Sequence, residues 1–200
     1  MSNVRPQNML SRTPTLALLL AISARALAAT GYVYGADHCY YFAAPRGWTM
    51  DNRAGATAGV PMVFYPSGTS WQSASEAIYT RPATSARDRP DPARIKEQVE
   101  EVMQMYRSAS QNIQAKPLQA VRSKSGAMGE LWRFTGYSNG GAELVTYFAA
   151  PETINFFVMQ VSNAGDAESK IPAMLELSES YREATDCKPC SGAASCTIAN

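Results

Sequence analysis

The stretch MGELWRFTGYSNGGAELVTYFAAPETINFFVMQV, residues 128–161, decides the fold. It reads as three consecutive β-strands joined by tight turns. Asn139-Gly140 is the strongest short hairpin signal available, because both central residues of a two-residue turn take positive φ at low cost. With the turn there, Tyr137 faces Ala142, Phe134 faces Val145 and Trp132 faces Tyr147. A second turn at Pro151-Glu152 sets Tyr147 opposite Phe156 and Val145 opposite Val158. Trp132, Tyr147 and Phe156 then form one row, Phe134, Val145 and Val158 the next, and the period of two puts both rows on one face. Aromatic and β-branched cross-strand pairs contribute roughly 0.2–1 kcal/mol each beyond Ala–Ala. The other face carries Leu131, Leu144, Phe148, Phe157 and Met159, mixed with Arg133, Thr146 and Asn155. Such a sheet packs on helices fully on one side and in part on the other. Core packing is the expected role of Trp132, Phe134, Tyr147 and Phe156, together with Trp48, although an aromatic row can also floor a ligand site.

The chain begins with a segment of targeting character. Arg5 and Arg12 give a basic start, Leu16 to Ile22 an apolar run, and Ala26-Leu27-Ala28 the small residues that a signal peptidase reads, so residues 1–28 are expected to be a signal peptide. The apolar run is far shorter than the ~20 residues of a spanning helix, and no transmembrane segment is expected in the mature chain. Residues 29–36 read as a linker, 37–186 as one domain, and 187–200 as a Cys-rich tail. The mature chain, 172 residues from Ala29 to Asn200, suffices for a single core. Removing Arg5, Arg12 and Arg25 from 18 basic residues leaves 15 against 17 acidic ones, net −2. Without a basic stripe, nucleic acid is not an expected partner.

All four cysteines, Cys39, Cys187, Cys190 and Cys196, lie beyond the cleavage site. An even number in an exported chain implies disulfides, with three possible connectivities. The expected pairing joins Cys39 to Cys187, tying the first strand to the end of the last helix, and Cys190 to Cys196. Cys39 with Cys190 is a close alternative.

Between the ends, Asp37 to Ala44 is strand-like and Pro45-Arg46-Gly47 turns the chain into Trp48-Thr49-Met50. A Gly/Ala run at 54–59 leads to a strand at Val60–Tyr65, and Ala74–Thr80 is another. Arg81 to Pro90 reads as an exposed polar loop whose Arg81, Arg87, Asp88 and Arg89 make it a candidate partner-binding segment. Asp91-Pro92 starts the main helix, with Ile95, Val99, Val102, Met103, Tyr106 and Ile113 on one face. Leu118–Arg122 is a short strand. Ser169 can cap a second helix running to about Thr185, with Met174, Leu175, Leu177 and Tyr181 buried.

Strands, a long helix, four strands and a terminal helix make an α+β fold with an antiparallel sheet. A strand with aromatic residues running into Pro45-Arg46-Gly47-Trp48 resembles the start of the PsbP-like family. The helix at Asp91, the three-strand meander and the closing helix follow in that family's order, over about residues 38–185. The resemblance implies an α/β/α sandwich and a non-catalytic binding or assembly role, and it carries over no active site. The Cys-rich tail departs from the family pattern.

The chemistry of the sequence points the same way. His38 is the sole histidine, and its neighbour Cys39 lies on the opposite face of a strand, so the two cannot pair directly. Cys187, Cys190, Cys196 and His38 would suit zinc only in a reducing setting. Glu97, Glu100 and Glu101 fall on the outer face of the helix. No glycine-rich phosphate loop follows a strand. Neither a cofactor nor a catalytic residue is expected. Cys187-Lys188-Pro189-Cys190 has the spacing of a thioredoxin-like redox site, yet it follows a helix C-terminus, where the dipole opposes a thiolate. The expected function is an exported non-catalytic binding or accessory protein, a class that includes immunity and envelope-assembly proteins, with an envelope or secreted protein as partner. A periplasmic thiol-disulfide oxidoreductase using Cys187 and Cys190 is the alternative.

Overall fold

The computed structural model describes residues 30–35, 37–85, 91–185 and 187. Ten strands and two α-helices follow in the order β1 (Thr30–Tyr34), β2 (Cys39–Ala43), β3 (Trp48–Asp51), β4 (Val63–Pro66), β5 (Glu76–Thr84), α1 (Asp91–Arg107), β6 (Gln114–Arg122), β7 (Met128–Thr135), β8 (Ala142–Ala149), β9 (Thr153–Val161), α2 (Ala167–Glu179) and β10 (Arg182–Glu183). Seven strands pair antiparallel in the order β3-β4-β5-β9-β8-β7-β6, and β1-β2-β10 form a smaller antiparallel sheet.

The large sheet is covered on both faces, so β8 is buried from Ala142 to Phe148. One face presents Leu131, Leu144, Phe148, Phe157 and Met159 to Met174 and Leu177 of α2 and to Tyr40 and Phe42 of β2. The other presents Phe134, Val145, Tyr147 and Val158 to Ile95 and Val99 of α1. Polar groups caught between these layers are paired, as burial requires. Ser178 on α2 donates to Thr146 Oγ1 at 2.9 Å, Asn155 Nδ2 donates to Tyr181 Oη at 3.0 Å, and Tyr40 shares a 2.6 Å bond with Thr80. Arg94, 4% exposed, anchors the start of α1 by donating to the Ala150 and Thr153 carbonyls at 2.7 and 3.3 Å.

The β8–β9 register is the one Pro151-Glu152 suggests, with Tyr147 opposite Phe156 and Val145 opposite Val158. The β7–β8 register differs by two residues: Phe134 faces Glu143 and Trp132 faces Val145. The reason lies in the connection. Among the described residues, none other than glycine has positive φ, so Asn139-Gly140 is not a two-residue type I′ turn. The Gly140 N–H instead closes on the Tyr137 carbonyl at 3.0 Å, and Gly136, φ 91°, turns the chain earlier. A two-residue slip keeps each side chain on its face but changes its row.

Several boundaries differ from the sequence reading. Thr30–Tyr34, within the expected linker, is a strand pairing along β2, because Tyr32 and Val33 alternate against Tyr41 and Tyr40. The 54–59 run closes a compact turn containing one 3-10 turn at Ala56–Ala58, and β4 starts at Val63 rather than Val60. β5 continues to Thr84, since β9 offers it a partner for its whole length. α1 stops at Arg107, where Ser108, Ala109 and Ser110 bond back to the Met105 and Tyr106 carbonyls, so Ile113 is buried beyond the helix. β6 begins at Gln114, with a bulge between Pro117 and Gln119. Ser169 lies inside α2, and the chain leaves that helix at Glu179 to form β10 on β2.

Candidate binding cavity

The two-residue slip sets a carboxylate, Glu143, directly opposite Phe134. Side chains 143, 145 and 147 of β8 point toward α1, in register with Gln160, Val158 and Phe156 of β9. Val158 and Phe156 are in turn opposite Tyr79 and Arg81 of β5. Gln98, Glu101, Val102, Met105 and Tyr106 of α1 lie over them. The short Val102, Val145 and Val158 side chains do not fill the space beneath the helix, and a cavity of about 220 Å³ remains. Its mouth is edged by Met105, 60% exposed.

Glu143 is 6% exposed. Its Oε2 accepts the hydroxyls of Tyr106 and Tyr137, each at 2.8 Å, and its Oε1 accepts Gln160 Nε2 at 3.4 Å. Three donors and no acceptor suit an ionised carboxylate. None of the ion pairs among the described residues involves Glu143. Burial, followed by the charge of Glu143, pushes the Tyr106 and Tyr137 phenols well above their ordinary range, so both remain protonated donors. Tyr79 and Tyr147 are raised in the same way, first by burial. Tyr147 is 1% exposed and lines the cavity. Such a constellation is a fixed acceptor framed by aromatic rings.

The residues singled out from sequence are dispersed. Phe134 and Tyr147 are fully buried on the α1 side. Trp132 and Phe156 are only half-buried at the rim of that core, and Trp48 is half-buried against the other one. Trp132 turns its Nε1 toward Glu130, 2.9 Å away, on the outer β6–β7 end of the sheet. Arg81 is not in a loop but on β5, exposed, with its guanidinium 5.5 Å from the Tyr79 ring centroid and donating to the Ala58 carbonyl at 3.2 Å. Arg87, Asp88 and Arg89 lie outside the described residues. Cys39 and Cys187 form a disulfide with Cα atoms 5.2 Å apart. That bond occupies the thiol a Cys187–Cys190 redox pair needs, while Cys190, Cys196 and the segment 1–28 lie outside the described residues. His38 is half-buried, and burial lowers its pKa. No group of metal-ligating side chains forms among the described residues, and none of the described helices is long and apolar enough to cross a membrane.

Glu143 is the residue that the sequence reading missed. Its signal was there: a carboxylate in phase with Val145 and Tyr147 on one face of a strand.

No protein-family model matches the sequence, and no curated protein matches it. Among solved structures, the chain is similar to the solution structure of cyanobacterial PsbP (CyanoP) from Synechocystis sp. PCC 6803. The TM-score is 0.51 at 16% sequence identity, over 83% of this chain and 99% of that one. The element order, the antiparallel sheet and the two covering helices agree with that likeness, and the chain has the PsbP-like fold.

Proposed function

We propose that this protein is an exported, non-catalytic binding or accessory protein of PsbP-like type. The observation that carries the reading is the Cys39–Cys187 disulfide, which spans 148 residues and fastens the end of the fold to its second strand. Disulfides of this structural kind persist in oxidising compartments. They accord with residues 1–28 serving as a cleaved leader and with function in the periplasm or outside the cell. The similarity to a PsbP protein supports an accessory role, and the buried phenol–carboxylate cluster suits recognition rather than turnover. The partner on this reading is another envelope or secreted protein, and immunity and envelope assembly are the two roles proposed within this class.

Cell fractionation followed by intact-mass analysis tests it. The expected result is an envelope or extracellular species beginning at Ala29 with Cys39 and Cys187 joined, which cross-links to an envelope or secreted protein. A full-length, reduced protein in the cytoplasm overturns the reading.

A further inference from the structure

We propose that the cavity between α1 and the large sheet binds a small organic ammonium ion, held against Glu143 and the surrounding tyrosine rings. This deepens the binding reading above and rests on it, but concerns a ligand rather than a protein partner.

Two observations converge. The first is charge. Glu143 is buried, accepts three hydrogen bonds and has no cationic partner among the described residues. Neutral donors spread such a charge without cancelling it, and buried charges are characteristically paired as well as hydrogen-bonded. Glu101 adds a second carboxylate to the lining, against one guanidinium, Arg81. Arg81 is exposed and donates to the Ala58 carbonyl, with its guanidinium 5.5 Å from the Tyr79 ring centroid.

The second is the walls. Tyr79, Tyr106, Tyr147 and Phe156 present rings to the cavity, and the negative face of an aromatic ring attracts an ammonium ion. A hydrophobic tail would lie between Val102, Val145 and Val158, and Met105 would close over the entrance.

Size sets the class further. A cavity of about 150 Å³ accepts one benzene, so the 220 Å³ here suits roughly nine or ten non-hydrogen atoms by the same measure. An arylalkylamine or a short branched alkylamine has that bulk.

The test uses purified, oxidised protein and three probes of matched shape: 2-phenylethylamine, 2-phenylethanol and phenylacetate. Binding is read by calorimetry and by backbone amide shifts in α1, β5, β8 and β9. The amine is expected to bind at least about tenfold more tightly than the alcohol, a difference of about 1.4 kcal/mol, and phenylacetate not to bind. Glu143→Gln should abolish the preference for the amine. Arg81→Ala, at an exposed position, should tighten the amine severalfold by removing a like charge. Val102→Phe should fill the cavity and eliminate binding of all probes. Equal binding of amine and alcohol, or no saturable shifts with the amine, overturns the proposal. Should Glu143→Gln fail to fold, the probe series on the unaltered protein and the Arg81→Ala shift still decide. Loss of this proposal leaves an oxidised envelope protein with a protein partner intact, whereas a reduced cytoplasmic protein would remove the reading beneath it.

Discussion

Tyr106 of α1 donates its phenol to Glu143 of β8 at 2.8 Å, so a helix and a central strand are joined by a charge-assisted hydrogen bond inside an otherwise apolar layer. Tyr137, from the β7–β8 connection, reaches the same carboxylate oxygen at the same distance. Hydrogen bonds to charged groups are worth about 1.5–3 kcal/mol each. Tyr106→Phe and Tyr137→Phe are each expected to lose stability in that range in urea denaturation. Because both phenols serve one oxygen, the double variant should lose more than the sum: the carboxylate would keep only Gln160 as a donor. Strict additivity within about 0.5 kcal/mol would show that the two bonds act independently.

A second expectation separates two aromatic residues that look alike in sequence. Phe134 is fully buried, its ring edge-on to Tyr106 with centroids 6.1 Å apart. Trp132, two residues away on the same face, is half-buried at the edge of the core. Phe134→Ala should cost about 3–5 kcal/mol. Trp132→Ala should cost about half of that, since a large part of its ring surface remains in water when folded. Chemical denaturation of the pair checks the order, and a larger loss at Trp132 would mean its rim packing has been underestimated.

Acid sensitivity has identifiable sources. The Ala54 N–H, the Arg53 N–H and the Tyr65 hydroxyl hold the Asp51 carboxyl below its ordinary range, in that order. The Ser75 hydroxyl and then Lys170 do the same for Glu76. A depressed folded pKa contributes stability that is present above the unfolded value and lost as the pH falls through the folded one. Asp51→Asn and Glu76→Gln should therefore flatten the loss of stability below about pH 4. Glu183 has the opposite sign, raised by burial and then by the charge of Asp91. Glu183→Gln should raise stability at neutral pH and have no effect at about pH 3, where both states carry the proton. Thermal melts across the range test all three.

Glycine positions in the β7–β8 connection predict unequal costs. Both Gly136 and Gly140 have positive φ. A Cβ on Gly136 would collide with the Asn112 backbone carbonyl, whereas one on Gly140 meets open space. Gly140→Ala should cost about 1–2 kcal/mol, the penalty of the left-handed conformation alone. Gly136→Ala should cost more and shift the loop 108–113, visible as amide shifts at Asn112 and Ile113.

The same connection explains what the sequence disclosed and what it hid. Alternation of apolar residues gives the face of every strand in the meander, and the slip of two residues leaves those faces untouched. Turn chemistry gave the β8–β9 register, where the chain reverses at Pro151-Glu152 and the Ala150 N–H closes on the Thr153 carbonyl at 2.8 Å. It failed for β7–β8 because Asn139 carries a different duty: its side chain accepts the Gly141 N–H at 3.0 Å while Gly136 makes the first bend. The row arrangement around Glu143 depends on that register and on a helix 36 to 52 positions earlier in the chain, so no local pattern displays it. Arg94 was hidden for a like reason, since the Ala150 and Thr153 carbonyls that hold it come from the far end of a hairpin. The pairing of Cys39 with Cys187 was the favoured one of three connectivities, and the return of the chain through β10 brings those two residues together.

That return sets the last prediction. β10 has only two residues and pairs with β2 at Arg182–Tyr41 and Glu183–Tyr40, with the Arg182 guanidinium 4.9 Å from the Tyr41 ring centroid. The Ala184 N–H adds one more bond, to the Cys39 carbonyl at 3.0 Å. So short a strand holds poorly by itself, and the disulfide just beyond it keeps its effective concentration against β2 high. Cys39→Ser should lower stability by roughly 2–5 kcal/mol and speed amide exchange at Arg182, Glu183 and Ala184 before any other element. Amides of β8 and β9, at the centre of the large sheet, should keep their protection at neutral pH, since α2 and Tyr181 pack on them without help from the bond. Adding reductant to the unaltered protein should reproduce both effects. Exchange that accelerates evenly across the whole chain, or stability unchanged by reduction, would show that the tail is fastened by its packing and that the bond contributes nothing to the hold.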